Sequence, residues 1–237
     1  MSQDNIKKYK DVLENYKDIC YNIEDAKVKF NRENEKIQLM AVTKTVPVDK
    51  VNFAIDQGIT LLGENRVQEY LSKKDEYNKD AEVQFIGHLQ TNKVKYIIND
   101  VSLIQSVDSI KLANEINRLA EKNNRIMNVL IEINIGNEMS KSGVSSDELF
   151  DLIYKASELK NIRIKGLMAI PPVNSDEKIF EKMNNIYLDV KSKNISNVSM
   201  DILSMGMSGD YVTAIKYGSN LVRIGTKLFG ARIYKEA

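Results

Sequence analysis

The chain has 237 residues, with 34 Lys and Arg interspersed among 33 Asp and Glu for a formal net charge of +1, so it lacks the basic field of a nucleic-acid-binding protein. A single cysteine excludes an internal disulfide and any multi-cysteine metal site. The amino terminus, M-S-Q-D-N-I-K-K-Y-K, has no apolar core of signal-peptide type and no window approaches a membrane span, which predicts a cytoplasmic protein whose sequons at Asn194 and Asn197 stay idle.

Residues 4–30 set Ile6, Tyr9, Val12, Leu13, Tyr16, Ile19, Cys20 and Ile23 at three-four spacing, predicting an amphipathic helix with Cys20 on its core side. I-Q-L-M-A-V-T-K-T-V-P (37–47) follows as a strand-like run that ends near Lys44 and is closed by Pro47, the pattern of a strand buried on both faces. Val48, Val51, Ala54 and Ile55 predict a short helix stopped at Gly58, and I-T-L-L-G-E (59–64) a second strand. A helix over 66–77, strand V-Q-F-I-G (83–87), helix Thr91 to Ile98 and strand V-S-L-I-Q-S-V (101–107) continue the alternation. Asp108 is positioned to cap a long helix through Asn123, ahead of strand N-V-L-I-E-I-N-I (128–135). Ser145 and Glu148 have capping-box spacing for a helix to Leu159, before strand I-K-G-L-M-A-I (164–170). Helix 175–193, strand D-I-L-S-M (201–205), helix 210–217 ended by Gly218 and strand L-V-R-I-G (221–225) complete eight strands.

Eight such units without a linker predict one domain over 1–237, a closed α/β barrel of the (β/α)8 type with an additional N-terminal helix. Folding at this size buries about 70% of the unfolded surface, so the core needs no staple. A doubly wound open sheet is the alternative, but no G-x-G-x-x-G follows the first strand, and there is no P-loop, zinc spacing or nucleophile elbow.

Barrel sites lie at the carboxyl ends of the strands, which selects Lys44, Glu64, Asn65, His88, Ser106, Asn134, Ser204, Ser208, Arg223, Gly225 and Thr226. Lys44 either finishes its strand in water or, partly desolvated at the mouth, is an amine nucleophile for an aldehyde. S-M-G-M-S-G (204–209) and G-T (225–226) put small residues after strands seven and eight, where this fold usually cradles phosphate. Together with Lys44 they suggest a phosphorylated aldehyde held as a Schiff base, which describes pyridoxal 5'-phosphate. Arg223 is either an inward residue of the last strand or a strand-end arginine at the surface. His88 lines the mouth or caps the next helix, and Asn65 faces the lysine or caps, capping being the commoner task for asparagine. Met168, Met205 and Met207 read as adaptable packing.

A-V-T-K-T-V-P, L-G-E-N-R-V-Q-E, F-I-G-H-L-Q-T-N-K, G-L-M-A-I, L-S-M-G-M-S and V-R-I-G-T-K-L-F-G-A-R together resemble the YggS/PROSC family of pyridoxal phosphate homeostasis proteins, which are similar to the N-terminal barrel of alanine racemase. The resemblance spans nearly the whole chain. It implies that Lys44 is the Schiff-base lysine, that Ser204, Gly225 and Thr226 hold the phosphate, that Asn65 belongs to the cofactor site, and that Arg223 faces the pyridine nitrogen. Arginine only donates hydrogen bonds and keeps its proton, so it would leave that nitrogen unprotonated and the ring a poor electron sink. A racemase also needs a second acid/base group. In the racemases it comes from a C-terminal β domain, for which a chain ending at Ala237 leaves no room. The expectation is therefore a non-catalytic monomer that binds pyridoxal phosphate, buffers it or delivers it to apo-enzymes, and so influences amino-acid and keto-acid metabolism, without nucleic-acid or membrane partners. The alternatives are a pyridoxal-phosphate racemase completed by a pocket tyrosine and a Schiff-base aldolase-like barrel.

Overall fold

The computed structural model describes residues 3–138 and 141–231. Helices α1 (Gln3–Lys8) and α2 (Lys10–Lys29) precede β1 (Gln38–Val42), and then α3 (Val48–Asp56), β2 (Leu61–Glu64), α4 (Val67–Lys73) and β3 (Glu82–Phe85) follow. After a 3-10 helix, Thr91–Tyr96, come β4 (Leu103–Val107), α5 (Ile110–Lys122), β5 (Met127–Ile133), α6 (Leu149–Ser157) and β6 (Ile162–Ala169). The chain continues through α7 (Lys178–Ser192), β7 (Val198–Ser204), α8 (Tyr211–Lys216), β8 (Leu221–Ile224) and α9 (Thr226–Phe229). The strands are parallel, lie in sequence order and close by pairing β1 with β8, which is the expected (β/α)8 barrel with its N-terminal helix.

Alternation along each strand divides the side chains between two cores. Outward residues such as Ala41, Leu62, Phe85, Ile104, Ile131 and Val222 pack under the helices in one continuous cluster. Inward residues fill the barrel in smaller groups, Met40, Val42, Leu61, Ile86 and Leu221 on one side and Leu103, Leu130 and Met168 on the other. Burial on both faces is why the strands read as mainly apolar runs rather than as apolar-polar alternation. At Gly166 (φ +150°) a Cβ would stand 1.8 Å from the carbonyl oxygen of Ile202, so β6 and β7 approach there only because the side chain is missing.

Several local expectations are corrected. The N-terminal helix breaks at Tyr9, whose hydroxyl bonds the carboxylate of Asp49 on α3. Cys20 is half-buried beside Tyr16 and Gly58, on a cavity at the amino-terminal end of β1 and β2, and not in the sealed core. The cap of α5 is Ser109, which has extended dihedrals and accepts from the N–H of Leu112, and not Asp108. Ser145 and Glu148 do exchange bonds, at 2.7 and 3.3 Å, but in the turn that leads into α6. Residues 91–96 wind as a 3-10 helix, the form favoured by short connectors.

Candidate functional site

Lys44 lies two residues beyond β1, half-buried, in the alternation that sends Met40 and Val42 inward. Its turn is tight: the N–H of Val46 donates to the carbonyl of Thr43 at 3.0 Å, and Thr45 has φ +64°. Such a left-handed backbone is uncommon for a β-branched residue. Here a strand turns into a helix within five residues, with Pro47 at the helix N-cap.

Arg223 is 3% exposed and points into the barrel. Its guanidinium donates to Ser204 Oγ at 2.5 Å and to the carbonyl of Ala169 at 2.7 Å. Ser204 Oγ donates in turn to Gln105 Oε1 at 2.7 Å, and Gln105 Nε2 to Gln84 Oε1 at 2.7 Å. Burial lowers the Arg223 pKa to about 10, against the pull of Glu132 and Asp210 in the opposite direction, so the group stays cationic at neutral pH.

This relay separates residues that the sequence grouped. Ser204 is the last residue of β7, and its hydroxyl is occupied by Gln105 and Arg223 inside the barrel. Gly206, at φ +92°, then redirects the chain, and it is Ser208 whose Oγ accepts from the N–H of Lys227, just after Gly225 and Thr226. Gly225 is the N-cap residue of α9 and Thr226 is exposed. The loop pair at β7 and β8 is thus Ser208 with Gly225 and Thr226, and Ser204 belongs with Arg223.

Across the mouth, a cavity of about 190 Å³ opens between the ends of β2, β3, β5 and β6, lined by Asn65, His88, Glu132, Asn134, Lys141 and Ser142 among others. His88 does not cap the next helix, whose N-cap is Gln90. Its Nδ1 lies 3.2 Å from Ser142 Oγ and 3.7 Å from Asp108. Asn65 does not cap α4 either, since that N-cap is Arg66 without a side-chain bond. Instead Asn65 Oδ1 is buried without a partner among the described residues, as are Ser106 Oγ and Glu132 Oε2. A Cβ on Gly87 would stand 2.0 Å from the Asn65 carbonyl, so the residue before His88 must be glycine for Asn65 to sit where it does. Burial, and then Asp108, push the Glu132 carboxyl up to about 7, against the attraction of Arg223.

Sequence reasoning did not single out Gln84, Gln105 or Glu132. Their signal is a polar residue at an inward position of an otherwise apolar strand, in V-Q-F-I, L-I-Q-S and L-I-E-I. Barrel interiors are usually filled by branched apolar side chains.

The model of the alanine racemase N-terminal domain matches residues 15–233. A pyridoxal phosphate homeostasis protein of Aquifex aeolicus is 42% identical over 218 residues, covering 90% of this chain and 94% of its own. Among solved structures, PipY of Synechococcus elongatus with pyridoxal phosphate bound superposes with a TM-score of 0.81 at 27% identity, covering 92% of this chain and all of that one. Alanine racemase of Streptomyces coelicolor, at 15% identity and a TM-score of 0.69 over 88% of this chain and 57% of its own, shares the fold.

Proposed function

On the premise that the chain belongs to the alanine racemase N-terminal domain family, and within it to the pyridoxal phosphate homeostasis proteins, we propose that it binds pyridoxal 5'-phosphate reversibly and takes part in its homeostasis in the cytoplasm. The observation that carries this is the closure of the barrel. It pairs Met40 with Arg223, so the strands that lead to Lys44 and that bear the buried guanidinium are neighbours. The residues present fit the cofactor: an amine at Lys44, hydroxyls and backbone N–H groups at Ser208, Gly225 and Thr226, a cationic donor at Arg223, and an unsatisfied acceptor at Asn65. When bound, pyridoxal phosphate supplies an aldehyde that condenses reversibly with an amine and a ring that can withdraw electrons.

In this assignment Lys44 holds the aldehyde carbon, Ser208 with Gly225 and Thr226 holds the phosphate, and Asn65 orients the ring edge. Arg223 donates to the pyridine nitrogen and leaves it unprotonated, which mutes carbanion chemistry. Its anchors on Ser204 and Ala169 hold the guanidinium at one place. A role without turnover is therefore the reading we favour, in line with relatives that are named for homeostasis. Delivery to apo-enzymes, by a monomer, belongs to the same proposal.

The test is the absorption spectrum of purified protein with added pyridoxal phosphate, beside Lys44→Ala, followed by borohydride reduction and peptide mapping. A Schiff-base band that reduction removes, with the label on Lys44, is expected in the wild type alone. Free-aldehyde spectra in both proteins refute the Lys44 assignment, and steady racemisation of amino acids dependent on Lys44 refutes the non-catalytic reading.

A further inference from the structure

Two glutamates of the L-G-E-N-R-V-Q-E segment, Glu64 and Glu69, have no part in the site described above. Both reach back to the turn that carries Lys44. Glu69, in the first turn of α4, accepts the N–H of Thr45 on Oε1 at 2.5 Å, and the same oxygen accepts from Lys73 Nζ at 2.5 Å. Lys73 Nζ donates onward to the carbonyl of Val46 at 2.9 Å and stands 3.5 Å from that of Thr43. On the other side Glu64, fully buried, accepts from the Thr43 hydroxyl and from Tyr77, each at 2.6 Å.

We infer that the half-buried Glu69–Lys73 pair is a positioning device for Lys44, a clamp that holds Thr43 to Val46 in their strained turn and so fixes where the lysine stands at the barrel mouth; this rests on the reading of Lys44 proposed above. Three observations carry it. The side chains of Lys73 and Glu69 are only 14% and 17% exposed, so the pair is shielded as surface pairs are not. It satisfies backbone groups on both sides of Lys44, one N–H and two carbonyls, and not merely each other. Thr45 sits at φ +64°, a conformation its β-branched side chain disfavours and that survives only where the surroundings over-determine it. Burial raises the Glu69 pKa, but the bonds from Lys73 and the Thr45 N–H outweigh it and the net shift is downward, so the acceptor is a carboxylate at neutral pH.

The test uses the full chain with Glu69→Gln, Glu69→Ala and Lys73→Met. Amide hydrogen exchange is read at Thr45 without cofactor, and the rate of borohydride-trapped labelling at Lys44 with pyridoxal phosphate. Glu69→Ala and Lys73→Met are expected to raise Thr45 exchange and slow Lys44 labelling, each at least about ten-fold, while amides of β5 and β6 keep their protection. Glu69→Gln retains an oxygen for Thr45 and should recover most of the labelling rate. Labelling within two-fold of wild type in both disruptive variants overturns the proposal. A uniform loss of protection through β5 and β6 in both overturns it too, because the pair would then brace the whole barrel. If wild-type Lys44 takes no label, the Lys44 reading fails instead, and Thr45 exchange still decides whether the clamp exists.

Discussion

Glu132→Gln tests the interior electrostatics of the barrel through stability alone. Glu132 is 5% exposed, its Oε2 has no partner among the described residues, and burial with Asp108 lifts its pKa from 4.5 to about 7. An acid whose folded pKa is raised holds its proton after the unfolded chain has lost it, so stability falls as pH rises from the unfolded value to the folded one. At about 1.36 kcal/mol per unit, the fully developed cost above pH 7 is about 3 kcal/mol, against less than about 1 kcal/mol at pH 5. Glutamine keeps the shape and removes the titration. A barrel of this size shifts its melting temperature by roughly 2–4 °C per kcal/mol, so the variant should gain about 4–10 °C over wild type on going from pH 5 to pH 8. Thermal melts from pH 5 to 8 read this difference of differences, in which any pH-independent cost of the new amide cancels. Parallel dependence of the melting temperature on pH in the two proteins would refute the raised pKa of the buried Glu132 carboxyl.

Ser204→Ala leaves the Arg223 guanidinium and Gln105 Oε1 each short of a buried partner and should cost about 1–3 kcal/mol by denaturant unfolding. Ser208→Ala, at a half-buried loop position, should leave stability within about 1 kcal/mol yet weaken pyridoxal phosphate binding in a fluorescence titration. The reverse ranking would return the phosphate role to Ser204. Gly166→Ala drives a Cβ into the Ile202 carbonyl at 1.8 Å and should cost about 3 kcal/mol or more, visible as loss of soluble folded protein. Glu69 has a depressed folded pKa, so its contribution is complete above the unfolded value near 4.5 and is lost as pH falls through the folded one. Between pH 6 and 3 wild type should therefore lose more thermal stability than Glu69→Gln, and equal losses would argue against the ion pair.

Mainly apolar runs closed by turn residues announced each strand, because burial on both faces disfavours regular polar alternation, and eight such runs separated by helical spacing were enough to imply the barrel. Lys44 and the small residues after β7 and β8 stood out because each lies at or just beyond the carboxyl end of an apolar run, and Arg223 because it interrupts the last one. What the local pattern does not carry is how positions on different strands meet once the barrel closes. The assignment of Ser204 to Arg223 and of Ser208 to the β8 loop depends on a left-handed turn at Gly206 and on strand stagger. The N-cap positions expected at Asn65 and Asp108 fall on Arg66 and Ser109, one residue further on in each case and with only Ser109 capping through its side chain, since cap position depends on the dihedral angles at which the chain leaves its strand. The grip of Glu69 and Lys73 on the turn around Lys44 spans 24 to 30 residues of sequence. Side-chain alternation and helical spacing are short-range properties of the chain, and so the sequence by itself determined the elements and their order; hydrogen bonds between residues far apart in sequence exist only after closure, and so the tertiary structure alone decided which polar groups became partners.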